Sequence, residues 1–404
     1  MKSHKIFNDP VYGFIQVPYG TLFDLVEHPF FQRLRRIKQL SLTHYVYPGA
    51  LHTRFHHALG ALHLMRQTIA TLRAKGIDIS SEESEAVQIA ILLHDIGHGP
   101  FSHTLEHTLI KVHHEELSLL FMEKLNEEFN GELALAIDIF QGRYHKPFLA
   151  QLVSSQLDMD RMDYLNRDSY FTGVSEGVIG YHRIIKMLTV HEGELMVEEK
   201  GIYSIERFLT ARRLMYWQVY LHKTVLAAEL MLIKIMERAK ELISKGHLLP
   251  APSVLRYFLE NRDLSSTDFH TKRDELLQVF SRLDDTDIAA AVKEWQDNED
   301  PNLSFLARGL ANRRLFRLEF SYEPFAKDYV ESIRKKINEA PGLPPSAGDQ
   351  LVIEGKETNT SYSAYKDEIS ILMKSGKVLP MSELSDSTVS PRMFTKYYLC
   401  YPKI

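Results

Sequence analysis

The chain has 404 residues, 44% of them hydrophobic and 25% charged, and this length and balance exclude collagen-like, disulfide-scaffold and wholly disordered proteins. Its single cysteine, Cys400, can form no internal disulfide, and a CxxC metal or redox site is excluded. The net charge of −5 provides no basic field for nucleic acid, and we expect no nucleic-acid partner.

The predicted elements begin with a polar N-terminus and a small hairpin. Residues 1–13 lack the apolar core of a secretory signal, and no run of about 18 apolar residues follows, so we predict a cytoplasmic protein with no membrane partner. In residues 5–18, Asn-Asp-Pro and Tyr-Gly turn signals separate short β-prone runs. That pattern predicts a hairpin.

Helical periodicity follows the hairpin. It starts at Pro29, a favoured first-turn residue, and recurs over residues 54–75 and 84–96. Residues 84–96 are apolar nearly all round, which indicates a buried helix that ends at the glycines after it.

More helices are predicted as far as residue 311, with one interruption. They cover about 114–128, 131–140, 147–167, 204–243 and 252–311. The alternating segment 191–204 predicts a short hairpin that turns at Lys200 and Gly201.

The pattern changes near Asn312. The order predicted after it is strand 314–322, helix 323–340, loop 340–349, strands 349–357 and 368–373, short helix 390–398 and strand 398–402. We therefore predict a mostly α fold, in which a helical domain over residues 1–312 carries a small α+β domain over residues 313–404.

Candidate metal ligands lie in and after a histidine-rich segment. Eleven of the 19 histidines fall within residues 44–114, a density that packing does not require. His57 in RFHHALG, the pair His94 and Asp95 in LLHDIGHGPFSH, and Asp160 in QLDMDRMDYLNRD make a set of two imidazoles and two carboxylates. Such a set suits a six-coordinate divalent ion with positions left for water or substrate. Taken alone, the pair is explained as well by a core histidine and a polar helix end.

The order and surroundings of these residues resemble the HD superfamily of metal-dependent phosphohydrolases, and most closely its deoxynucleotide triphosphohydrolase branch. The resembling blocks run in the family's order over about residues 6–223, and they are FNDPVYGFI, HPFFQRLRRIKQL, YVYPGALHTRFHHALG, IAILLHDIGHGPFSHTLEH, HHEELS, LDMDRMDYLNRD and YLHK. EISILMKSGKVLPMSELS resembles the C-terminal region of bacterial HD phosphohydrolases. The fold implied is a helical HD-domain bundle.

The resemblance implies that one divalent ion is held by four ligands, namely His57, His94, Asp95 and Asp160. The ligand set fits manganese, iron, magnesium, nickel or zinc and does not choose among them. Asp158 and Asp163 fall outside the family's ligand pattern, and we expect helix caps or salt-bridge partners there.

The resemblance also implies a group of catalytic side chains beside the metal. His103 is the predicted general acid, because an imidazole titrates near neutrality, and His98 and His114 are predicted to bind phosphate oxygens. Glu106 stands where the branch tends to carry an aspartate paired to a histidine. The alternative role for each is to orient the metal ligands from behind.

Substrate contacts follow from the same resemblance. The basic positions that contact the triphosphate are Arg54, Arg161 and Arg212. The positions around the sugar are Tyr164, Asp168 and Tyr220, with Gln39 and Leu40 beside it. A tyrosine packed where a 2′-hydroxyl would project rejects ribose sterically, although tyrosine and leucine on helices are also ordinary core residues.

Three positions near the nucleotide also depart from the family pattern. Arg161 replaces a lysine, while Tyr216 and Leu221 replace a histidine and a glutamine near the nucleotide, so the nucleotide stays open. Glu27 and Arg35 fall in a segment that helps form a nucleotide effector site in regulated relatives. A solvated helix face explains this segment equally well.

The predicted reaction is hydrolysis of deoxynucleoside triphosphates to deoxynucleoside and inorganic triphosphate. The alternatives are an HD phosphohydrolase acting on a monophosphate, a cyclic dinucleotide or an alarmone, and a non-enzymatic nucleotide-sensing module. The family habit implies a homo-oligomer, a dimer or a tetramer.

Overall fold

The computed structural model describes residues 3–261, 264–359, 368–384 and 394–404, and it is mostly helical, as predicted. The helices are α1 (Thr21–Glu27), α2 (Pro29–Gln32), α3 (Arg54–Ala74), α4 (Ser81–Leu93), α5 (Glu106–Leu109), α6 (His114–Glu128), α7 (Ala134–Phe140), α8 (Pro147–Val153), α9 (Met159–Thr172), α10 (Tyr181–Met187), α11 (Ile202–Met215), α12 (Lys223–Ser244), α13 (Ser253–Glu260), α14 (Ser266–Thr271), α15 (Arg273–Phe280), α16 (Asp285–Glu294), α17 (Pro301–Ala311), α18 (Lys327–Glu339), α19 (Ala347–Leu351) and α20 (Met381–Leu384). The strands are β1 (His4–Asp9), β2 (Gly13–Pro18), β3 (Leu188–His191), β4 (Glu194–Glu198), β5 (Arg317–Ser321), β6 (Ile353–Asn359), β7 (Ser370–Leu372), β8 (Val378–Pro380) and β9 (Phe394–Tyr401).

The predicted N-terminal hairpin is confirmed. Strands β1 and β2 pair antiparallel, with Lys5 opposite Val17. The Asp9 carboxylate accepts the backbone N–H groups of Val11 and Tyr12 at 3.0 and 2.9 Å, and these bonds close the turn.

The centre of the bundle is α3, which packs between α4 and α9. Ser80 caps α4 in a capping box with Glu83, and every residue from Ala86 to Leu93 is buried. Gly60 lets α9 approach α3 closely, because a Cβ there would collide with the side chains of Asp163 and Arg167. None of the described helices is both long and apolar enough to cross a bilayer.

Two of the helices are shorter than predicted. The helix predicted from Pro29 is only the four residues of α2 and a 3₁₀ turn, because the buried Arg33 turns inward and donates to the carbonyls of Ile96 and His98 at 2.7 and 2.8 Å. The helix predicted to reach residue 96 ends at Leu93, so His98 does not share a helix face with the residues of α4.

Two predicted helices are each two helices. Residues 147–167 divide into α8 and α9, with Asp158 as the N-cap of α9. Residues 204–243 divide into α11 and α12, separated by a π-helical turn at Tyr216–Tyr220.

A hairpin is present near the predicted segment 191–204, but the predicted position of its turn is wrong. Strands β3 and β4 meet across Glu192 and Gly193, both with positive φ, which suits a tight hairpin turn. Lys200 and Gly201 lie in a 3₁₀ turn before α11 instead.

The C-terminal region carries strands as predicted, with two corrections. The predicted helix at 390–398 is wrong where it can be seen, because residues from Phe394 onward belong to β9, whereas 390–393 lie outside the described residues. The predicted loop at 340–349 gives way to α19 at Ala347.

The described strands form three sheets. The sheets are ordered β1-β2, β3-β4-β7-β8 and β5-β9-β6, and β7 runs parallel to β4. Strand pairing therefore crosses the domain boundary predicted after residue 312, which stays a prediction.

Candidate active site

Three helix ends bring the four predicted metal ligands together. His57 lies in the first turns of α3, His94 and Asp95 follow the last residue of α4, and Asp160 lies in the first turn of α9. The His57 Nε2 atom is 3.3 Å from His94 Nε2, 3.1 Å from Asp160 Oδ1 and 3.8 Å from Asp95 Oδ2. The His94 Nε2 atom is 3.4 Å from Asp95 Oδ1 and 3.5 Å from Asp160 Oδ1.

The outer nitrogens of both imidazoles have partners that fix the tautomers. His57 Nδ1 donates to Asp163 Oδ2 at 2.7 Å, and His94 Nδ1 donates to the carbonyl of Ile91 at 2.6 Å. Each ring therefore turns its Nε2 toward the other and toward Asp160, where a proton or a metal cation can lie between them. The donor set therefore fits a divalent cation, and His57, His94 and Asp160 form a possible metal site.

Charge in this cluster is balanced internally. Burial opposes the charged imidazoles, but hydrogen bonds with Asp160 and Asp163 outweigh it and raise the pKa of His57 to about 10. Burial also lowers the pKa of His94, yet the charge of Asp95 leaves that pKa above its ordinary value. The two histidines hold the pKa of Asp160 well below its usual range against the effect of burial. A divalent cation that bound here would compete with protons, so its affinity would rise with pH.

The Asp95 carboxylate is held from outside the ligand set. Arg54 is buried and pairs with Asp95 through NH1, while its Nε donates to Ser102 Oγ at 2.8 Å. The predicted phosphate-contacting Arg54 thus lies against a predicted metal ligand. The turn after α4 packs tightly on α6, because a Cβ on Gly97 would collide with the backbone at His114.

The four predicted catalytic residues form one cluster. His98 stacks on His114 with ring centroids 3.9 Å apart, and the His103 ring lies 5.0 and 5.2 Å from those two rings. Glu106 accepts from His114 Nδ1 at 2.6 Å and from His103 Nδ1 at 3.2 Å, and these bonds lower the pKa of Glu106 strongly although burial opposes the shift. His98 Nε2 lies 3.3 Å from Asp95 Oδ1, which joins this cluster to the metal ligands.

Two of the predicted triphosphate-contacting arginines are among the arginines of the described residues whose buried Nε has no hydrogen-bond partner. Arg161 pairs with Asp158, and Arg212 donates through NH1 to Gln156 Oε1 at 2.8 Å, but the Nε of each arginine has no acceptor. Burial raises the pKa of the Tyr164 phenol above its ordinary value, although the charges of Arg212 and Arg161 both act to lower it. An oxyanion would satisfy such donors.

Among the predicted sugar-side residues, Tyr220 contacts both Asp168 and Tyr164. Tyr220 donates to Asp168 Oδ2 at 2.8 Å, and its ring meets Tyr164 edge to face at 6.1 Å. Gln39 has a buried Oε1 without a partner among the described residues, and Leu40 packs against the core.

The two residues predicted for an effector site, Glu27 and Arg35, make different contacts. Glu27 lines a surface groove with Gln32 and Arg36, whereas the Arg35 guanidinium lies 3.6 Å from the Phe55 ring centroid and donates to Gln32. The structure shows no shared polar contact between Glu27 and Arg35.

Sequence reasoning missed three residues that hydrogen-bond to the predicted site residues. Ser102 and Gln156 hold arginines, and His52 is hydrogen-bonded to Asp168. His52 lies in the histidine-rich segment and Ser102 in the GPFSH block, so the sequence draws attention to both residues. No local sequence signal identifies their hydrogen-bond partners.

Comparison with known proteins identifies the family of this chain. The family model for the HD domain matches residues 54–168, and the family model for the HD associated region matches residues 179–250. A crystal structure of a phosphohydrolase from Bacteroides thetaiotaomicron is 51% identical, with a TM-score of 0.94 over 99% of this chain and 100% of that one. Uncharacterized protein YwfO of Bacillus subtilis is 32% identical over 100% of this chain and 93% of its own length.

A more distant relative carries a specific activity in its name. The deoxynucleoside triphosphate triphosphohydrolase SAMHD1 homolog of Dictyostelium discoideum is 31% identical over 62% of this chain, which spans about half (52%) of that relative's length. The fold and the site define an HD-domain protein. The chain belongs to the HD-domain superfamily of phosphohydrolases.

Proposed function

We propose that the protein hydrolyses deoxynucleoside triphosphates to deoxynucleoside and inorganic triphosphate. The observation that carries the proposal is the contact between Asp95 and His98, which sets the His98-His103-His114 cluster directly beside the four predicted metal ligands. The relative from Dictyostelium discoideum supports the substrate class.

We assign the metal to His57, His94, Asp95 and Asp160. When bound, a divalent cation at these ligands would lower the pKa of a water molecule and offset phosphate charge. Asp160 is the most exposed of the four, with 27% of its side chain accessible, so we place the substrate on its side.

The chain's own residues account for orientation. Arg161 and Arg212 offer their unpartnered Nε donors to phosphate oxygens. We assign His98 and His114, which stack on each other, to phosphate oxygens as well. Such donors hold the α-phosphorus in line for attack and spread its charge.

Proton transfer falls to His103. A water oxygen bonds to the α-phosphorus while the bond from that phosphorus to the 5′-oxygen breaks. The protonated His103 gives its proton to the departing oxygen, the attacking water releases a proton to solvent, and His103 regains its proton from solvent. Glu106 orients the ring through Nδ1, which leaves Nε2 to face the substrate.

The proposal includes the predicted oligomer and the cytoplasmic location. Ile6 and Phe14 are 51% and 69% exposed on the hairpin, and this apolar surface favours association. Sedimentation analysis of the purified protein should give a dimer or a tetramer.

The test of function is product identification. Metal-loaded protein should release triphosphate from at least one deoxynucleoside triphosphate, whereas release of phosphate or pyrophosphate, or turnover only of monophosphates, cyclic dinucleotides or alarmones, would replace the substrate class. A protein that binds nucleotides without turning any over would be a sensor.

Variants test the assigned roles. His94→Ala and Asp95→Ala should abolish turnover and metal content together, while His103→Gln should keep the metal and slow turnover by roughly 10² to 10⁴-fold. His145→Gln, at an exposed histidine, is the matched control. Full activity in Asp95→Ala would refute the site.

A further inference from the structure

His52 is a buried histidine that the proposed chemistry does not use. Its side chain is fully enclosed, and Nε2 lies 2.7 Å from Asp168 Oδ1. The other Asp168 oxygen accepts the Tyr220 hydroxyl at 2.8 Å. The Asp168 carboxylate is thus fixed by one donor on each oxygen.

Further contacts fix the position of His52. Its ring stacks on Phe171 with centroids 4.5 Å apart and planes 17° apart, and its carbonyl accepts the backbone N–H of Gln39 at 3.0 Å. Gly49 lies so close to the α9 backbone that a Cβ there would meet the Phe171 carbonyl oxygen at 2.5 Å. These contacts hold the His52 ring in one position against α9.

The same segment also reaches the π-helical turn. Tyr47 donates its hydroxyl to the carbonyl of Gln218 at 2.6 Å, two residues before Tyr220. Residues 47–52, which we name the clamp segment, thus contact the backbone on either side of the Asp168-Tyr220 pair. One short segment sets the relative position of α9 and the turn.

We propose that His52 is a positioning residue that holds Asp168 as a fixed acceptor for a sugar hydroxyl, an inference that rests on the proposed function. A 2′-deoxynucleoside triphosphate has one free sugar hydroxyl, at the 3′ carbon. Each Asp168 oxygen keeps a second lone pair after accepting from His52 or Tyr220. A preorganised acceptor discriminates strongly between a substrate with a hydroxyl and one without it.

The test compares two substrates in one variant. His52→Phe keeps an aromatic ring on Phe171 and removes the donor to Asp168. We expect kcat/KM for the preferred deoxynucleoside triphosphate to fall by roughly tenfold or more, because a buried acceptor loses its fixed orientation. The matching 2′,3′-dideoxynucleoside triphosphate should lose little, so the ratio between the two substrates shrinks.

A matched control separates positioning from general damage. His63→Phe also replaces a hydrogen-bonded histidine, one that stacks on Tyr12 and bonds to Gln67. This control should leave the substrate ratio unchanged, and metal content should be equal in both variants. Equal losses on both substrates in His52→Phe, or no loss on either, would overturn the proposal.

A second measurement does not depend on turnover. In protein labelled with ¹⁵N-histidine, His52 should show a protonated Nε2 whose proton exchanges slowly and whose signal moves in Asp168→Asn. A His52 ring protonated only on Nδ1 would overturn the proposal even with an active enzyme. If no deoxynucleoside triphosphate is hydrolysed, the proposed function fails, and the spectrum alone decides whether His52 holds Asp168.

Discussion

Asp163 links the N-terminal hairpin to the candidate metal centre. Its carboxylate accepts from His57 Nδ1 and from Arg167 Nε at 2.9 Å, and Arg167 in turn pairs with Asp9 at 2.7 Å. Arg167 and Asp163 are fully buried, so each charge depends on the other for compensation. Gly60 leaves the space that this pair occupies.

Replacing Asp163 with asparagine should weaken metal binding. An amide accepts less strongly from His57 and does not compensate Arg167, so we expect metal affinity to fall about 10 to 100-fold together with a loss of stability. Calorimetric titration with a divalent cation measures the first effect, and thermal unfolding measures the second.

The exposed Asp138, which pairs with Arg143 on the surface, provides the control for that change. Asp138→Asn should change neither quantity, because surface ion pairs contribute little. Unchanged metal affinity in Asp163→Asn would show that orientation of His57 does not depend on this carboxylate.

Much of this residue-scale picture could be predicted from motifs, and part of it could not. The sequence indicates which histidines and aspartates converge, because the order of the blocks is specific. It also places Asp158 and Asp163 outside the ligand set, and they are a helix cap and a salt-bridge partner. It does not show that Arg54 pairs with Asp95, because that contact depends on how the turn after α4 folds back.

At the scale of elements, α12 supports the loop that carries His103. The Glu229 carboxyl on α12 is hydrogen-bonded to Thr104 and Ser41, whose hydroxyls are 3.0 Å apart. Ser41 and Ser102 both have φ near 45°, a left-handed conformation that needs surrounding contacts to persist.

Glu229 makes this support sensitive to pH. Burial raises its pKa to about 7, although the bonds from Thr104 and Ser41 act in the opposite direction. The folded protein therefore keeps a proton that the unfolded chain loses near pH 4.5, and the stability from the neutral carboxyl is lost as pH rises through 7. Glu229→Gln should match the parent at pH 5 and be more stable by roughly 1–3 kcal/mol at pH 8.

Thermal unfolding across this pH range tests the prediction. Glu237→Gln, on the same helix but paired with Lys234 at the surface, is the control and should show no such pH dependence. A Glu229→Gln variant that is less stable than the parent at pH 8 would contradict a neutral, buried carboxyl.

Sequence periodicity predicts where helices lie better than where they end. The π-helical turn at Tyr216–Tyr220 interrupts a segment whose composition is helical throughout, and its cause is tertiary, since Tyr47 binds the Gln218 carbonyl and Tyr220 binds Asp168. The 3₁₀ turn after α2 is likewise set by Arg33, which binds carbonyls more than sixty residues away. Such long-range partners leave no local signal.

At the scale of the molecule, the C-terminal region packs on the helical bundle at several places, two of which involve β7 and β9. Strand β7 pairs with β4 through Ile371 opposite Val197, and Lys396 on β9 lies 3.7 Å from the ring centroid of Trp217 in the π-helical turn. The second contact adjoins Tyr220, so the C-terminal sheet supports the turn that carries a predicted substrate contact.

A chain of residues 1–312 tests whether the predicted domain boundary is real. Truncation there removes β7, which leaves an open edge on β4, and it removes β5, whose Phe316 neighbour contacts Met231 on α12. Exposed edges and apolar faces promote association. We therefore expect this fragment to unfold at a Tm at least about 5 °C below that of the whole chain or to aggregate, and residues 313–404 added as a separate chain should restore part of the loss. A fragment with the Tm and metal affinity of the whole chain would establish that residues 1–312 form an independent domain, with the β4–β7 pairing a peripheral contact.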